Sequence, residues 1–280
     1  MGIDIKRVGL ITGASKGLGL LLAKLALSKG DQVIVTTRNE ETFPEELKNH
    51  SGLHLFELDI TSSEAILKFS ETIIEKFPHL DYLVNNAGYG FVGALEESSE
   101  EEVIEIFNVN VLAGIRLIQA FLPLMRHRKK GHIVNVSSMA GLKGSAGWGI
   151  YNMSKFAIEG YTEALYEEVK PFGIHISLVE PGAFRTNFLG SSLKSSARIM
   201  PEYRHTVGQR RERLQRNNGH QPNDPEKAAA HIYQLLMMDQ PPLRLLLGQD
   251  ALHLVTEKIN WMQQDFELLK EWTVNTHIDR

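Results

Sequence analysis

The chain has 280 residues, 42% of them hydrophobic and 23% charged, with no cysteine and a formal net charge of −4. This charge gives no reason to expect nucleic acid or an anionic membrane as a partner, and the lack of cysteine excludes disulfides, cysteine-ligated zinc and a thiol nucleophile. No apolar run approaches the ~20 residues that span a bilayer. Residues 1–7 lead directly into a predicted strand, which leaves no room for a signal peptide. We therefore expect a cytoplasmic enzyme, and the scattered histidines predict no metal site.

Short apolar runs alternate with amphipathic stretches over most of the chain. The predicted strands are 8–12, 32–37, 54–58, 82–85, 132–137, 174–179 and 243–247, and the main predicted helices are 18–29, 61–77, about 98–125 and about 151–169. This alternation predicts an α/β fold, in which a doubly wound, Rossmann-like sheet of seven parallel strands lies between two layers of helices. A ligand is expected at the carboxyl ends of the strands, where the strand order reverses.

Two segments lie outside this alternation. Residues 190–221 are polar and contain no convincing strand, so they form either a substrate lid, which we favour, or a solvated helical excursion. Residues 249–280 are predicted to form a helical extension of the same domain, which otherwise comprises residues 1–248. An apolar stripe in this extension recurs every three or four residues, at Leu252, Val255, Ile259, Met262, Phe266 and Leu269. The stripe is the face of a partner helix or, as we favour, a face that docks on its own domain.

Three glycines, Gly13, Gly17 and Gly19, follow the first strand and open the first helix. Glycine permits a tight turn and a close approach of the backbone to a pyrophosphate, which the N-terminus of the helix can bind. The second strand ends in Thr37 and Arg38, where NAD sites carry an acidic residue. With no carboxylate there, Arg38 and Lys16 can bind a 2′-phosphate, so the sequence favours NADP(H).

A second group of residues indicates acid–base chemistry. Tyr151 and Lys155 lie four residues apart on a predicted helix and so share a face. A neighbouring ammonium group is expected to lower the high pKa of the phenol, so that Tyr151 can exchange a proton with a carbonyl or alcohol oxygen. Ser138, just past the fifth predicted strand, can donate a hydrogen bond to the same oxygen. Each motif alone is weak, and their order and spacing together are specific.

With these motifs, the sequence resembles the short-chain dehydrogenase/reductase family in its single-domain branch, from Val8 to about Gly248. The resemblance implies that Asn110 holds a water molecule in a proton relay and that Lys155 also binds the nicotinamide ribose. It implies that Asp59 contacts adenine and that Asn86, Ala87 and Gly88 pack behind the cofactor. The implied cofactor-binding set is Gly13, Ser15, Lys16, Gly17, Leu18, Gly19, Arg38, Asp59, Ile60, Asn86, Ala87, Gly88, Tyr151, Lys155, Pro181, Gly182 and Thr186.

The implied function is an NADP(H)-dependent oxidoreductase that interconverts a carbonyl and a primary or secondary alcohol by hydride transfer, in the reductive direction. A steroid- or retinoid-type dehydrogenase is the alternative, because the tail resembles that of the 17β-hydroxysteroid and retinol dehydrogenases. A catalytically silent NADP(H) sensor or scaffold is a third. The partners implied are a small, apolar carbonyl substrate and further copies of the chain, as a homodimer or homotetramer joined through the long helices. Aromatic and sulfur side chains that could line an apolar pocket are Tyr89, Phe91, Trp148, Phe184, Phe188 and Met200.

Overall fold

The computed structural model describes residues 7–278. The expected absence of a signal peptide concerns residues outside this range. The first residues of the region 1–248 and the last residues of the extension 249–280 also lie outside it. The strands, in chain order, are β1 Val8–Thr12, β2 Gln32–Thr37, β3 Leu53–Glu57, β4 Tyr82–Asn85, β5 Gly90–Val92, β6 Gly131–Val136, β7 Ile174–Pro181, β8 Leu193–Ser195 and β9 Arg244–Leu247. Seven of them form a parallel sheet in the order β3-β2-β1-β4-β6-β7-β9, which confirms the predicted fold. The order reverses between β1 and β4, and this is the switch point where ligands bind in such sheets.

The helices of the described chain cover both faces of the sheet. They are α1 Gly17–Ser28, α2 Glu45–Lys48, α3 Ser63–Lys76, α4 Glu100–Phe107, α5 Ala113–Arg128, α6 Gly149–Val169, α7 Gln209–Asn217, α8 Pro225–Leu236, α9 Gln249–Leu268 and α10 Lys270–Val274. Because side chains alternate along a strand, Leu10 of β1 joins one core cluster with α3, α5 and α6, and Ile11 joins another with α1 and α8. Two hydrophobic cores therefore hold the predicted three layers together.

The predicted helix over residues 98–125 extends from Glu100 to Arg128, with one π-helical turn at Asn108–Leu112 between α4 and α5. By length and composition alone this helix could cross a membrane, although we expected no such segment. Its inner face packs in the core through Leu117, Phe121 and Met125. A core helix of this kind meets the same criteria, so the criteria do not identify a membrane span.

The two segments outside the alternation also have defined structure. In residues 190–221, where we expected no strand, β8 pairs in parallel with β5, and α7 follows. The strand is only three residues long and its sequence, Leu-Lys-Ser, has no alternating pattern, which is why it was missed. The tail is helical as predicted, but its apolar stripe does not dock on the domain, since Leu252, Ile259 and Phe266 are 60%, 51% and 64% exposed. The docking interpretation of the stripe is therefore wrong.

Candidate active site

The glycine turn after β1 has the shape that the sequence predicts. Gly13 has φ +64°, and a Cβ atom there would lie 2.8 Å from the Cα of Ala87. A Cβ on Gly19 would collide with the side-chain amide of Asn86. Other side chains at these two positions would strain the backbone or displace Asn86. The turn is thus a close fit of backbone to backbone.

The N-terminus of α1 is open to an anion. Its N-cap residue, Lys16, makes no capping hydrogen bond through its side chain, and the first turn contains no acidic residue. The first amide groups of a helix need acceptors and carry the positive end of the helix dipole. Ser15 lies in the turn just before the helix, and Leu18 lies in its first turn. These features fit a pyrophosphate at this end of the helix.

The segment Asn85–Gly88, at the end of β4, is tied to the glycine turn. The hydroxyl of Thr12 accepts hydrogen bonds from the amides of Asn86 and Ala87, both at 3.0 Å. The side-chain amide of Asn86 donates to the Thr12 carbonyl at 2.8 Å. A Cβ on Gly88 would lie 3.1 Å from Oδ1 of Asn110. The two loops at the switch point therefore form one framework.

Two cations flank the end of β2. Arg38 is exposed and lies near enough to Lys16 to contribute to lowering its pKa, after burial, which is the larger cause. Nζ of Lys16 donates to the Ser191 hydroxyl at 2.7 Å. Across this edge, Asp59 accepts hydrogen bonds from the hydroxyl and amide of Thr61, which lower its pKa, while Ile60 beside it is buried. Positive charge thus lies where the adenosine half of a dinucleotide is expected.

The structure brings Ser138, Tyr151 and Lys155 together at the carboxyl end of β6. The hydroxyl of Ser138, which follows that strand, accepts the amide of Ala140 at 3.1 Å and forms a hydrogen bond with Tyr151. Nζ of Lys155 donates to the Val136 carbonyl at 2.9 Å and lies 5.8 Å from the centre of the Tyr151 ring. Tyr151 and Lys155 are both buried, and their shared face of α6 points at the strand end.

The pKa of Tyr151 departs from our expectation. Burial raises the pKa of the phenol, and the hydrogen bond with Ser138 opposes that rise. Burial lowers the pKa of Lys155 to about 8, and the carboxylate of Glu159 opposes this shift. The expected lowering of the Tyr151 pKa by the neighbouring ammonium is therefore not seen, because removal from water dominates for both groups.

A partly buried charge cluster lies one helical turn beyond Lys155, and the sequence did not predict it. The guanidinium of Arg244, on β9, forms ion pairs with Glu159 at 2.6 Å and with Glu180 and Glu163. Burial and the nearby Glu159 raise the pKa of Glu180, and Arg244 opposes them. A glutamate at i+4 from Lys155 on the buried face of α6 is the one signal in the sequence that could have indicated this cluster.

The loop after β7 contains the remaining predicted residues. The carbonyl of Pro181 accepts a hydrogen bond from Ser138 at 3.4 Å, and the amide of Gly182 donates to Leu247 at 2.8 Å. Thr186 faces the glycine turn, 3.7 Å from the position of a Cβ on Gly17. Asp250, at the start of α9, accepts the amide of Ala183 at 2.7 Å. The loop is thereby held beside both the serine and the phosphate turn.

Asn110 lies in the π-helical turn and is buried. Its side chain exchanges two hydrogen bonds of 3.0 Å with the backbone of Tyr89 and donates to the Ser154 hydroxyl at 3.1 Å. The side chain therefore fixes the backbone that follows Gly88 against α6. It lies near Lys155, since a Cβ atom on Gly88 would be 3.1 Å from Oδ1 of Asn110 and 3.9 Å from Nζ of Lys155.

Aromatic side chains surround the ring of Tyr151. The rings of Trp148 and Phe188 are stacked, with 6.5 Å between their centres, and each lies within 6 Å of the Tyr151 ring, at 5.2 and 5.7 Å. Tyr89 packs in the same cluster. Of the other pocket candidates, Phe91 is a fully buried core residue beneath them, and the remaining two lie apart: Phe184 packs in the core that contains α1, and the amide of Met200 donates to Glu97 at 2.9 Å.

An ion pair holds the segment 190–221 to Glu97. Arg211 on α7 donates to the buried carboxylate of Glu97 at 2.5 Å and to the hydroxyl of Ser196 at 2.8 Å. Burial would raise the pKa of Glu97, but the hydrogen bonds from Arg211 and from two backbone amides lower it to about 2. Neither residue was predicted, because the pairing joins positions 114 residues apart.

With this geometry, comparison with known proteins identifies the family. The short chain dehydrogenase family matches residues 7–196. The chain belongs to the short-chain dehydrogenase/reductase family. It is therefore an oxidoreductase of that family with the Rossmann-like fold, as predicted.

Several relatives align over most of the chain. Oxidoreductase BOA17 of Botryotinia fuckeliana is 36% identical over 247 residues, which cover 88% of this chain and 90% of that protein. The 3-ketodihydrosphingosine reductase of Bacteroides thetaiotaomicron is 35% identical, with coverages of 90% and 92%. Retinol dehydrogenase 8 of Bos taurus is 37% identical, with coverages of 86% and 81%.

Solved structures show the same architecture. A short-chain dehydrogenase from Streptomyces avermitilis is 37% identical with a TM-score of 0.91, covering 98% of this chain and 100% of its own. A metagenomic short-chain oxidoreductase in complex with NADP is 28% identical with a TM-score of 0.68, and the coverages are 86% and 96%. A Burkholderia phymatum relative in complex with NAD, 24% identical with a TM-score of 0.81 and coverages of 96% and 96%, shares the fold.

Proposed function

We propose that the protein is an NADP(H)-dependent reductase that converts an apolar ketone or aldehyde into an alcohol. The observation that carries this proposal is the convergence of Ser138, Tyr151 and Lys155 at the carboxyl end of β6, in a sheet whose first helix has an uncapped N-terminus. Family membership supports an enzyme acting on alcohol and carbonyl groups. The direction rests on the reduced state in which cells usually keep their NADPH pool.

Each of the three side chains has a role that follows from its contacts. Tyr151 remains protonated at neutral pH because burial raises its pKa, so its hydroxyl can donate a proton to a carbonyl oxygen as negative charge develops there. Ser138, hydrogen-bonded to Tyr151, orients that oxygen. The Lys155 ammonium lies close enough to stabilise the phenolate that remains, and it is anchored by the Val136 carbonyl.

The residues present fit a dinucleotide with a 2′-phosphate. Gly13 and Gly19 let the turn pack against Ala87 and Asn86, and the N-terminus of α1 would hold the pyrophosphate. Arg38 and Lys16 would bind the 2′-phosphate. When bound, the reduced cofactor supplies the hydride. In our proposal Asp59 contacts the adenine, Lys155 also binds the nicotinamide ribose, and Asn110 positions a water molecule that returns protons to the site.

The aromatic rings around Tyr151 support the proposal of an apolar substrate. Trp148, Phe188 and Tyr89 present ring surface beside the ring of Tyr151, which favours a flat or aliphatic carbonyl over a charged one. The names of two relatives, a retinol dehydrogenase and a 3-ketodihydrosphingosine reductase, point to lipid-like molecules. A steroid- or retinoid-type activity is the narrower form of this proposal, and the retinol dehydrogenase likeness favours it.

The test is Tyr151→Phe, which removes the hydroxyl and keeps the ring. We expect turnover of carbonyl substrates to fall to nearly nothing, while the Kd for NADPH, measured by fluorescence titration, stays within about twofold. Tyr166→Phe removes a phenol from the same helix, about four turns from Tyr151, and is the matched control. Turnover by Tyr151→Phe comparable with that of the control would refute the proposed role.

A panel of aliphatic, aromatic, steroid and retinoid carbonyls, assayed by NADPH oxidation, distinguishes the three candidate functions. A general reductase turns over many of them, and a steroid- or retinoid-type enzyme turns over few. NADPH binding without oxidation of any would indicate a sensor or scaffold, which has no need of the intact Ser138, Tyr151 and Lys155. We also propose a cytoplasmic location, which cell fractionation tests.

We further propose a homodimer or homotetramer joined through the helices on the sheet faces. Ile104 of α4 and Met153 and Phe156 of α6 support this arrangement, because these apolar side chains are 59%, 40% and 44% exposed. A monomeric mass by light scattering at working concentrations would exclude it.

A further inference from the structure

The C-terminal helix leaves a long apolar surface without cover. Its start is fixed to the domain, where Ala251 is buried and Glu257 pairs with Lys143 at 3.1 Å. Every side chain from Ile259 to residue 278 is exposed. The exposed set includes Trp261 at 54%, Phe266 at 64% and Trp272 at 76%. A continuous apolar patch of this kind marks an interaction surface.

The spacing of the apolar stripe (Leu252, Val255, Ile259, Met262, Phe266 and, just past the end of α9, Leu269) favours a helical partner. Its steps alternate strictly between three and four residues, which is the heptad pattern of a helix that packs against another helix. A helix that merely lies on a globular domain does not need so strict a seam. The stripe therefore fits a second helix running alongside it.

We propose that the partner is a second copy of this chain, whose helix α9 pairs antiparallel with the first along the stripe. The flanking charges select this direction. Lys258 and Asp265 lie one heptad apart on the same edge of the seam, so an antiparallel pair places Lys258 opposite Asp265 of the partner subunit, twice by symmetry. In a parallel pair Lys258 would instead face the partner's Gln263, which is uncharged.

The apolar residues beside the stripe support the same arrangement. Trp261 and Leu268 lie on the side of α9 that also carries the half-buried Leu254, at two steps of seven residues, and Trp272 follows on α10. Leu254, with the buried Ala251, faces its own domain. In an antiparallel pair, the far half of one helix lies beside the docked half of the other. Leu268 then meets the domain of the partner subunit, which covers a side chain that is otherwise 80% exposed.

The charge of the helix argues against a membrane as the occupant. Between Gln249 and Val274 the chain has five acidic and two basic residues, whereas helices that lie on anionic membranes are rich in lysine and arginine. The interface is separate from α4 and α6, and it does not depend on the proposed reaction. Because Asp250 at the start of α9 binds the loop after Pro181, the pairing would also brace the active-site loop.

The first test measures mass by sedimentation velocity on the full chain, with NADPH present. Phe266→Gln combined with Leu269→Gln should lower the associated mass by half, or raise the dissociation constant about a hundredfold. Leu67→Gln, which changes an equally exposed leucine on α3 (58% exposed), should leave the mass unchanged. Because the altered side chains are exposed, NADPH binding and the melting temperature should be retained.

The second test exchanges the charges. Lys258→Asp places acidic residues opposite one another and should weaken association about tenfold, and Lys258→Asp combined with Asp265→Lys should restore it. An unchanged mass in the Phe266→Gln, Leu269→Gln variant overturns the proposal, as does failure of the double exchange to restore association. Binding of a monomeric chain to vesicles of phosphatidylserine and phosphatidylcholine through this helix would also overturn it, in favour of a membrane.

Discussion

Glu159 should control the pH range over which the enzyme works, although it lies outside the predicted catalytic set. Its carboxylate is one turn from Lys155 on the buried face of α6 and raises the pKa of that lysine, which burial lowers to about 8. Lys155 also neighbours Tyr151, whose pKa burial raises far above this range. On the far side, Glu159 faces Arg244, Glu180 and the ring of Tyr161. Glu159→Gln removes the negative charge with little change of shape.

The size of the effect follows from the spacing. Side chains four residues apart on a helix are about 6 Å apart, and at an effective dielectric constant of about 20 two unit charges at that distance interact by about 3 kcal/mol. Arg244 neutralises part of the Glu159 charge, so we take about half, ~1.4 kcal/mol, or one pH unit. The Lys155 pKa should then fall from about 8 to about 7.

The readout is the pH profile of kcat/KM for carbonyl reduction, which reports groups of the free enzyme. Since activity requires the protonated lysine, it is lost as pH rises through the lysine pKa. The alkaline limb should therefore move down by about one pH unit, with about a fivefold loss at pH 8 and almost none at pH 6. Glu163→Gln, which removes the exposed partner of the same Arg244, should leave the limb in place. An unmoved limb in Glu159→Gln, or an equal shift in the control, would refute the reasoning.

Two further predictions concern the cofactor and the segment 190–221. Arg38→Asp should reverse the preference for NADPH over NADH, measured as the ratio of the two Kd values, because it replaces the 2′-phosphate ligand with a group that repels it; a wild-type Kd for NADH equal to or below that for NADPH would contradict the assignment. Arg211→Gln leaves the buried Glu97 carboxylate unpaired and should destabilise the protein by about 3 kcal/mol, seen in urea unfolding at pH 7. Because the Glu97 pKa is depressed to about 2 in the fold, its stabilisation is present above the ordinary glutamate pKa and is lost as pH falls from about 4.5 towards 2. The gap between wild type and Arg211→Gln should therefore close in acid, and a gap that stays constant would contradict this account.

The elements that the sequence predicted well are those with a local physical cause. The strand β1 is an apolar run because it is buried on both faces, and Gly13 follows it because the turn needs positive φ. Tyr151 and Lys155 meet because they are one turn apart on one helix. The strand ends converge because the sheet is parallel, so the sequence alone places Ser138 beside them.

What the sequence did not predict depends on pairing between distant parts of the chain. Arg244 meets Glu159 across 85 residues, and Arg211 meets Glu97 across 114. A charged residue is expected to be exposed to solvent unless its partner is known, so the sequence predicted neither cluster. The pKa of Tyr151 was misjudged for the same reason, since helix spacing shows that Lys155 is near but not that both groups are removed from water. Burial is a property of the assembled layers. Because of burial, Lys155 does not lower the pKa of the resting Tyr151 phenol but stabilises the phenolate once the proton has left. Glu159 keeps that lysine charged and so contributes to the proton transfer.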